Sequence, residues 1–317
     1  MRFLESEIVQ DKYGEGRSLF HVILAPMEIS VSYEKGTALA PDAIIEASEQ
    51  LEAWDNSQSV AVIRESGIYT ALPVDCDLPN NCDDPEIILG RIEDAVTRAL
   101  SFSPILVDGL QKSVIPVLLG GEHTVTLGAL RAIKKHLTKE FGEVQNREFG
   151  IIQLDAHADL RDSYQGSRLS HASVMRRAVD DLNLPLFQIG VRAISQEELM
   201  VRKERKIAYI DPKDIYIKGA QASLFENPIP SDFPKKIYIT LDVDGLDPSV
   251  IRATGTPVPG GVGWYDTLIL LEKIIASREV VGFDVVELAP IKGDHASTFA
   301  ASQLAYSVMG MIQRFAK

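Results

Sequence analysis

The chain has 317 residues, of which 45% are hydrophobic and 24% are charged, a composition typical of an ordinary globular protein. Its 32 basic and 45 acidic residues give a net charge of −13, which disfavours nucleic acid and anionic membranes as partners. The first residues are charged and no apolar run is long enough to cross a bilayer, so we expect a cytoplasmic protein with no membrane segment.

Short apolar runs recur along the chain and predict buried β-strands. They are FHVILA at 20–25, SVIPVLL at 113–119, FGIIQL at 149–154, LFQIG at 186–190, KIAYI at 206–210, KKIYITL at 235–241 and EVVGFDVV at 279–286. Helical patterns lie between the runs, for example at 84–102 and 124–137, with acids early and bases late as the helix dipole favours. Continuous apolar strands that alternate with helices predict an α/β fold, with a mostly parallel sheet covered on both faces.

Nothing in the sequence divides the chain or crosslinks it. It contains no internal repeat, low-complexity tract or Pro/Gly/Ser-rich linker, so we expect a single domain over residues 1–317. The two cysteines, Cys76 and Cys82, lie in the polar segment VDCDLPNNCDD. We interpret them as free thiols, because two cysteines indicate neither a disulfide framework nor a thiolate metal site.

Charged clusters directly follow four of the predicted strands. They are Gly120-Gly121-Glu122-His123, Asp155-Ala156-His157-Ala158-Asp159, Asp242-Val243-Asp244 and Glu287. Because ligands of open α/β sheets bind beyond the carboxyl ends of the strands, we expect these clusters to meet at one edge. Each cluster also has an ordinary interpretation: His123 as a loop residue, DVDGLDP as a turn, and Glu287 as the partner of an arginine.

The segment DAHAD is difficult to explain without a cation. Asp155, His157 and Asp159 occupy alternate positions, so in an extended chain their side chains point to the same side. Burying two carboxylates beside an imidazole is costly unless a positive charge compensates. With His123, Asp242 and Asp244 the set contains four carboxylates and two imidazoles, which match two divalent cations. Paired metals about 3.5–4 Å apart share a water and lower its pKa.

Four motifs, GGEHT, DAHAD, LDVDGLDPS and DVVELAP, occur in an order and with separations that resemble the ureohydrolases, the arginase and agmatinase superfamily. The resemblance extends from APMEISVSYEKGTALAPDAI, which begins at residue 25, to the end of the chain. It implies a three-layer α/β/α sandwich of the arginase and deacetylase type, with two Mn(II) ions. The metal ligands that it implies are His123, Asp155, His157, Asp159, Asp242 and Asp244.

The resemblance also implies hydrolysis of a guanidino group to urea and an amine, by attack of a metal-bridging hydroxide on the guanidinium carbon. Glu287 matches the family's guanidinium-binding acid, and Asp159 the acid that passes a proton to the leaving amine. His171 lies close to the position of a second family histidine, used in proton shuttling or substrate contact; its alternative is an ordinary loop histidine. Thr256 matches a threonine near the guanidinium, or is a plain turn residue. Glu122 is predicted to orient the ligands.

The segment LRDSYQGSRLSH at 160–171 looks like that of agmatinases and lacks the Asn- and Ser-rich stretch of arginases. We therefore expect a small cationic guanidino substrate, agmatine, cleaved to urea and putrescine, with Asp162 contacting its far amine. Aminopropylagmatine, guanidinobutyrate and arginine stay open as alternatives, because Arg161 lies beside Asp162. A deacetylase or an inactive binding protein of this fold is disfavoured, since all six ligands and Glu287 are present. The resemblance also implies a homo-oligomer, a trimer or hexamer.

Overall fold

The structure is a computed structural model that describes residues 1–8, 14–79, 82–107, 109–141, 149–218 and 228–315. The β-strands are β1 Phe20–Ala25, β2 Ile68–Thr70, β3 Ile105–Val107, β4 Leu110–Lys112, β5 Ile115–Gly120, β6 Gly150–Leu154, β7 Leu186–Ile189, β8 Ala208–Ile210, β9 Lys236–Asp242 and β10 Glu279–Val286. The α-helices are α1 Ala40–Ser48, α2 Val62–Glu65, α3 Pro85–Leu100, α4 Thr126–Phe141, α5 Val174–Asp180, α6 Gln196–Glu204, α7 Pro212–Lys218, α8 Trp264–Ser277 and α9 His295–Phe315.

Eight strands form one sheet in the order β2-β1-β5-β10-β9-β6-β7-β8, and every neighbouring pair is parallel. β3 and β4 form a separate antiparallel hairpin. Each of the seven predicted strands is present in the large sheet, which confirms the predicted α/β fold. The sheet is wholly parallel in the described part of the chain.

Helices cover both faces of the sheet and enclose two cores, which makes a three-layer α/β/α sandwich. Along β1, Phe20, Val22 and Leu24 pack into one core, while Ile23 and Ala25 pack into the other, as the alternation of a strand requires. The first core lies under α1, α8 and α9, and the second under α3, α4 and α5. The chain enters α3 through Asp84, whose carboxylate accepts the backbone N–H of Glu86 at 3.0 Å as an N-cap.

The middle of the sheet positions the charged clusters. β5, β10, β9 and β6 are consecutive neighbours, so the carboxyl ends of these four parallel strands share one edge. The chain leaves β5 through Gly121, where a Cβ would lie 2.1 Å from the backbone oxygen of Met27. Only glycine fits at this close approach of the two backbones. Glu122 and His123 follow Gly121 directly. In the described part of the chain, no helix is long and apolar enough to cross a membrane.

Candidate dinuclear metal centre and active site

The structure brings all six predicted metal ligands together at the shared strand edge. His123 opens a 3-10 turn after β5, Asp155 follows β6, and Asp242 ends β9. The His123 Nδ1 lies 2.9 Å from an oxygen of Asp159, 3.2 Å from Asp155 and 3.4 Å from Asp242. We call these four residues the first ligand set.

A second ligand set, Asp155, His157 and Asp244, adjoins the first and shares Asp155 with it. The His157 Nδ1 lies 3.0 Å from an oxygen of Asp244 and 3.7 Å from one of Asp155. Asp155 and Asp244 are buried, and His157 is half-buried. Both sets contain His and Asp side chains close enough to bind a common ion, which fits a pair of metal ions joined by a shared carboxylate.

Local hydrogen bonds explain the every-second-residue spacing of these motifs. One oxygen of Asp155 accepts the backbone N–H of His157 at 2.6 Å, and one oxygen of Asp242 accepts that of Asp244 at 2.9 Å. An aspartate that bonds its own backbone two residues on makes a tight Asx turn. In each motif the turn uses one carboxylate oxygen, and the second oxygen faces the Nδ1 of His123. That of Asp155 also accepts a side-chain N–H of Gln153 at 2.7 Å.

The electrostatics of the six residues favour a cation. The His123 Nδ1 is buried without a hydrogen-bond partner among the described residues, although three carboxylates surround it. Burial raises the pKa of Asp242, and the neighbouring Asp244 and Asp155 raise it further. An unsatisfied imidazole nitrogen among crowded carboxylates is the donor set that a divalent cation stabilises, so the residues present fit a metal.

Two residues of the site have left-handed backbone conformations that favour glycine. The φ angle is +52° at Asp159 and +64° at Glu287. Such a conformation costs a non-glycine residue about 1–2 kcal/mol. The surrounding structure therefore holds both carboxylates in place against a local cost.

A cavity of about 320 Å³, open to solvent, lies over the two ligand sets. Its lining residues are Val31, Ser32, Tyr33, Glu34, His157, Asp159, His171, Asp242, Asp244, Gly255, Thr256 and Glu287. Five of them are carboxylates, and none of the lining residues in the described part of the chain is Lys or Arg. The cavity is therefore suited to a small cation.

The predicted substrate and proton-transfer residues lie around this cavity. Glu287 accepts the backbone N–H of His123 at 2.6 Å, and burial raises its pKa to about 8. The Nδ1 of His171 lies 3.0 Å from the Ser30 hydroxyl, and burial lowers the pKa of this histidine. Thr256 donates a hydrogen bond of 3.3 Å to Asp244. All three side chains border the same space as the two ligand sets.

Glu122, predicted to orient the ligands, instead organises the loop that carries Ser30. Its carboxylate accepts hydrogen bonds from Ile29 N at 2.7 Å, from the Ser30 hydroxyl at 2.8 Å and from the Thr124 hydroxyl at 2.6 Å. Because Ser30 also contacts His171, Glu122 fixes one wall of the cavity.

Asp162 lies outside the cavity. Its carboxylate is 2.7 Å from the Arg177 guanidinium and 3.6 Å from that of Arg168. His295 is the exposed first residue of α9 and does not line the cavity either. The structure thus separates Asp162 from the other predicted substrate residues.

Four residues bear on the site but were not identified from the sequence. They are Ser30 and Glu34 on the loop after β1, Arg192 after β7, and Asp284 on β10. The motif APMEIS contains Ser30, but nothing in it distinguishes that serine from others. The roles of Arg192 and Asp284 depend on contacts between distant segments, which the sequence does not display.

A parallel α/β sandwich with paired His/Asp sets at the strand edge defines a metal-dependent hydrolase. The family model of the arginase family matches residues 19–310, and this chain belongs to that family. It is an enzyme of the ureohydrolase class, and such enzymes use a dinuclear metal centre. The expected family is therefore confirmed.

Relatives and solved structures agree with this membership. The chain is 34% identical over 309 residues to N(1)-aminopropylagmatine ureohydrolase of Synechocystis sp., covering 98% of this chain and 93% of the relative. It is 29% identical to the agmatinase of Pyrococcus horikoshii, covering 93% of this chain and 92% of the relative. The crystal structure of agmatine ureohydrolase of Thermoplasma volcanium superposes with a TM-score of 0.78 at 27% identity, covering 100% of this chain and 96% of that one.

Proposed function

We propose that this enzyme releases urea from a guanidino compound with an amine tail, with agmatine as the substrate and putrescine as the second product. The observation that carries the proposal is the composition of the cavity wall: besides the proposed metal ligands and Glu287 it contains one further acid, Glu34, and no Lys or Arg among the described lining residues. A tail that ends in a carboxylate, as in guanidinobutyrate or arginine, needs a cation on the wall. A tail that ends in an ammonium needs an anion, which this wall supplies.

N(1)-aminopropylagmatine is the second candidate. The relatives that bear its name include the Synechocystis protein at 34% identity and one from Thermus thermophilus at 33%. Its longer tail carries one more amine, which the same negative field would attract. Agmatine remains the first candidate because the segment at 160–171 resembles that of agmatinases.

We further propose that His123, Asp155, Asp159 and Asp242 hold one ion, and that Asp155, His157, Asp242 and Asp244 hold the other. Ligands that are nitrogen and oxygen without thiolate suit Mn(II). When bound, the two ions supply a water of lowered pKa as the nucleophile. The contribution of the protein is to place the guanidinium carbon beside that centre.

Glu287 is proposed to bind the guanidinium. Its carboxylate lies at the end of β10, and the bond from His123 N fixes one of its oxygens. A carboxylate and a guanidinium pair in a planar, fork-like geometry, which sets the orientation of the guanidinium plane. The Thr256 hydroxyl, held by Asp244, lines the cavity beside Glu287 and is proposed to contact the substrate as well.

Asp159 and His171 are proposed to take part in transferring the proton that the leaving amine requires. Both side chains border the cavity. Burial lowers the pKa of His171, so its imidazole is neutral near pH 7 and able to accept a proton. The hydrogen bond with Ser30 holds the ring in place. Asp162, predicted from the sequence to contact the far amine, lies outside the cavity and is paired with Arg177.

The test is urea release by the Mn(II)-loaded enzyme from agmatine, aminopropylagmatine, guanidinobutyrate and arginine in parallel. We expect kcat/KM to be highest for agmatine, and both amine-tailed compounds to exceed both carboxylate-bearing ones by at least about tenfold, the effect of roughly 1.4 kcal/mol. A preference for guanidinobutyrate or arginine would contradict the proposal. Inactivity against all four would favour the inactive binding protein.

We also propose a homo-oligomer, a trimer or hexamer, which sedimentation would measure.

A further inference from the structure

Asp284 is a fully buried carboxylate just outside the active-site cavity. It lies on β10 and accepts hydrogen bonds from the Thr126 hydroxyl at 2.8 Å, the Tyr238 hydroxyl at 2.8 Å, the Thr240 hydroxyl at 2.6 Å and Leu241 N at 3.3 Å. A carboxylate in the interior is costly unless donors satisfy it, and four donors surround this one. Asp284 has no role in the proposed hydrolysis.

One of the four donors connects Asp284 to the metal centre. The Thr240 hydroxyl oxygen lies 2.6 Å from Asp284 Oδ1 and 2.8 Å from the Nε2 of His123. The Asp284 carboxylate accepts from Thr126, Tyr238 and Thr240, which oppose the rise in its pKa that burial causes, and a hydroxyl has a single proton to donate. Thr240 therefore donates to Asp284 and accepts from His123. It follows that Nε2 carries a proton, so in the neutral imidazole that binds a metal Nδ1 keeps its lone pair.

That lone pair is directed at the first ligand set. Nδ1 is the atom that faces Asp155, Asp159 and Asp242, and it has no hydrogen-bond partner among the described residues. A proton on Nδ1 in place of the lone pair would prevent it from binding a metal. The direction of two hydrogen bonds beneath the site thus decides whether His123 can act as a ligand.

We propose that Asp284, acting through Thr240, is a positioning residue that holds His123 in the tautomer able to bind a metal. Groups that hydrogen-bond the second nitrogen of a ligating histidine typically change metal affinity by about 10–100-fold when they are removed. Because Thr240 contacts His123 and not His157, we expect Asp284 to affect the binding of the ion in the first ligand set. The inference rests on the proposed metal ligands and not on the identity of the guanidino substrate.

The variant Asp284→Asn tests the direction of the hydrogen bonds with almost no change of shape. An amide placed with its NH₂ toward Thr240 donates to the hydroxyl, and the hydroxyl then donates to Nε2 of His123. That arrangement puts the imidazole proton on Nδ1, where it opposes the metal. We expect Mn(II) titration by calorimetry to show two tight sites in the wild type. In the variant we expect one tight site and one weakened by about 10–100-fold.

Two further comparisons separate positioning from simple destabilisation. Tyr238→Phe removes a donor from the other oxygen of Asp284 and leaves the path through Thr240 intact, so we expect it to keep both affinities within about twofold. Thr240→Val removes the path, whereas Thr240→Ser retains the hydroxyl. We expect the valine variant to bind the first ion about 10–100-fold more weakly and the serine variant to bind it as the wild type does.

Wild-type affinity for both ions in Asp284→Asn would overturn the proposal. So would equal losses at both sites in Asp284→Asn and Tyr238→Phe, since these would mark a general packing effect. If Asp284→Asn does not fold, the valine and serine variants at Thr240 decide the question by the same titration. A wild-type protein that binds two ions but cleaves no amine-tailed guanidino compound would refute the proposed function and leave this inference standing.

Discussion

The candidate metal ligands could be recognised in the sequence, whereas the residues proposed to select the substrate could not. The six candidate ligands lie within two short motifs and one glycine-rich turn, because tight turns require the every-second-residue spacing. For that reason the six ligands could be identified from the sequence. The other residues that line the cavity carry no such signature. Glu34 lies in an irregular loop, and only the fold brings it to the cavity.

Glu34 provides a prediction about tail recognition. Its backbone N–H donates to Gly255 O at 3.4 Å, which ties its loop to the segment that carries Thr256. Farther along, Glu28 accepts Gly36 N at 2.7 Å and Ala38 N at 3.1 Å, so the loop is fixed on both sides of Glu34. In the described part of the chain, no side chain pairs with the Glu34 carboxylate. We propose that it pairs with the substrate's far ammonium.

We expect Glu34→Gln to raise the KM for agmatine by up to about fivefold, since an exposed ion pair contributes about 0.2–1 kcal/mol. The kcat should change little, because the reacting end of the substrate is untouched. Steady-state kinetics at low and high salt measure both effects, and salt should shrink the difference. Glu279→Gln, an exposed acid at the opposite end of β10, is the matched control. An unchanged KM at low salt would refute the assignment.

At the scale of elements, the sequence predicted most strands and their parallel direction, but not their order in the sheet. All seven apolar runs contain strands; six of these strands are largely buried, whereas β8, at the edge of the sheet, is partly exposed. The strand β2 and the hairpin β3–β4 escaped prediction, since three residues carry too little pattern. The neighbour order β5-β10-β9-β6 depends on crossovers between distant segments. The same holds for the contact of Thr240 with Asp284, which only the register of β9 against β10 creates.

One arginine ties together several parts of the segment between β9 and α8. The Arg192 guanidinium donates to the backbone oxygens of Gly190, Asp244, Gly245, Leu246 and Val258, at 2.6–3.2 Å. The planar fork of arginine reaches several carbonyls at once, which a lysine ammonium cannot do. Arg192 therefore fixes the turn that carries Asp244 and the loop that carries Thr256.

We expect Arg192→Lys to lower the free energy of unfolding by about 3 kcal/mol, the contribution of one or two hydrogen bonds from a charged group. It should also weaken the ion of the second ligand set, to which Asp244 belongs, and leave the first set less affected. Thermal unfolding and Mn(II) titration measure the two effects. Arg98→Lys on α3, where the side chain is 71% exposed, serves as the control and should change stability by less than about 0.5 kcal/mol. Identical behaviour of the two variants would contradict the role of Arg192.

At the scale of the whole molecule, the metal centre lies over four adjacent strands and therefore over both cores. The single domain over residues 1–317 stays a prediction, and the candidate ligands lie at one edge of the sheet, beyond its middle strands. Ions that bind only the folded chain stabilise it by mass action, about 2.7 kcal/mol for each site at a free concentration 100 times Kd. Removal of the ions should accordingly lower the Tm by several degrees.

The loss on metal removal should depend on pH. Burial raises the pKa of Asp159 to about 7 and that of Glu287 to about 8, and it also raises the pKa of Asp242. Carboxyl groups with raised pKa values hold protons in the folded chain that the unfolded chain has already released. Between about pH 4.5 and 8 the metal-free fold therefore binds more protons than the unfolded chain, and its stability falls as the pH rises.

We expect the Tm of the metal-free protein to fall from pH 6 to pH 8. The Tm of the Mn(II)-loaded protein should fall less or rise, because metal binding requires deprotonated ligands and strengthens with pH. Scanning calorimetry at pH 6, 7 and 8, with Mn(II) or with a chelator, measures the difference between the two forms, which should widen at each step. The Asp242→Asn variant is the control, since it removes one crowded carboxylate and should flatten the metal-free profile. A metal-free Tm that stays constant from pH 6 to pH 8 would mean that the carboxylates do not repel one another in the empty fold, and the electrostatic case for two cations would then fail.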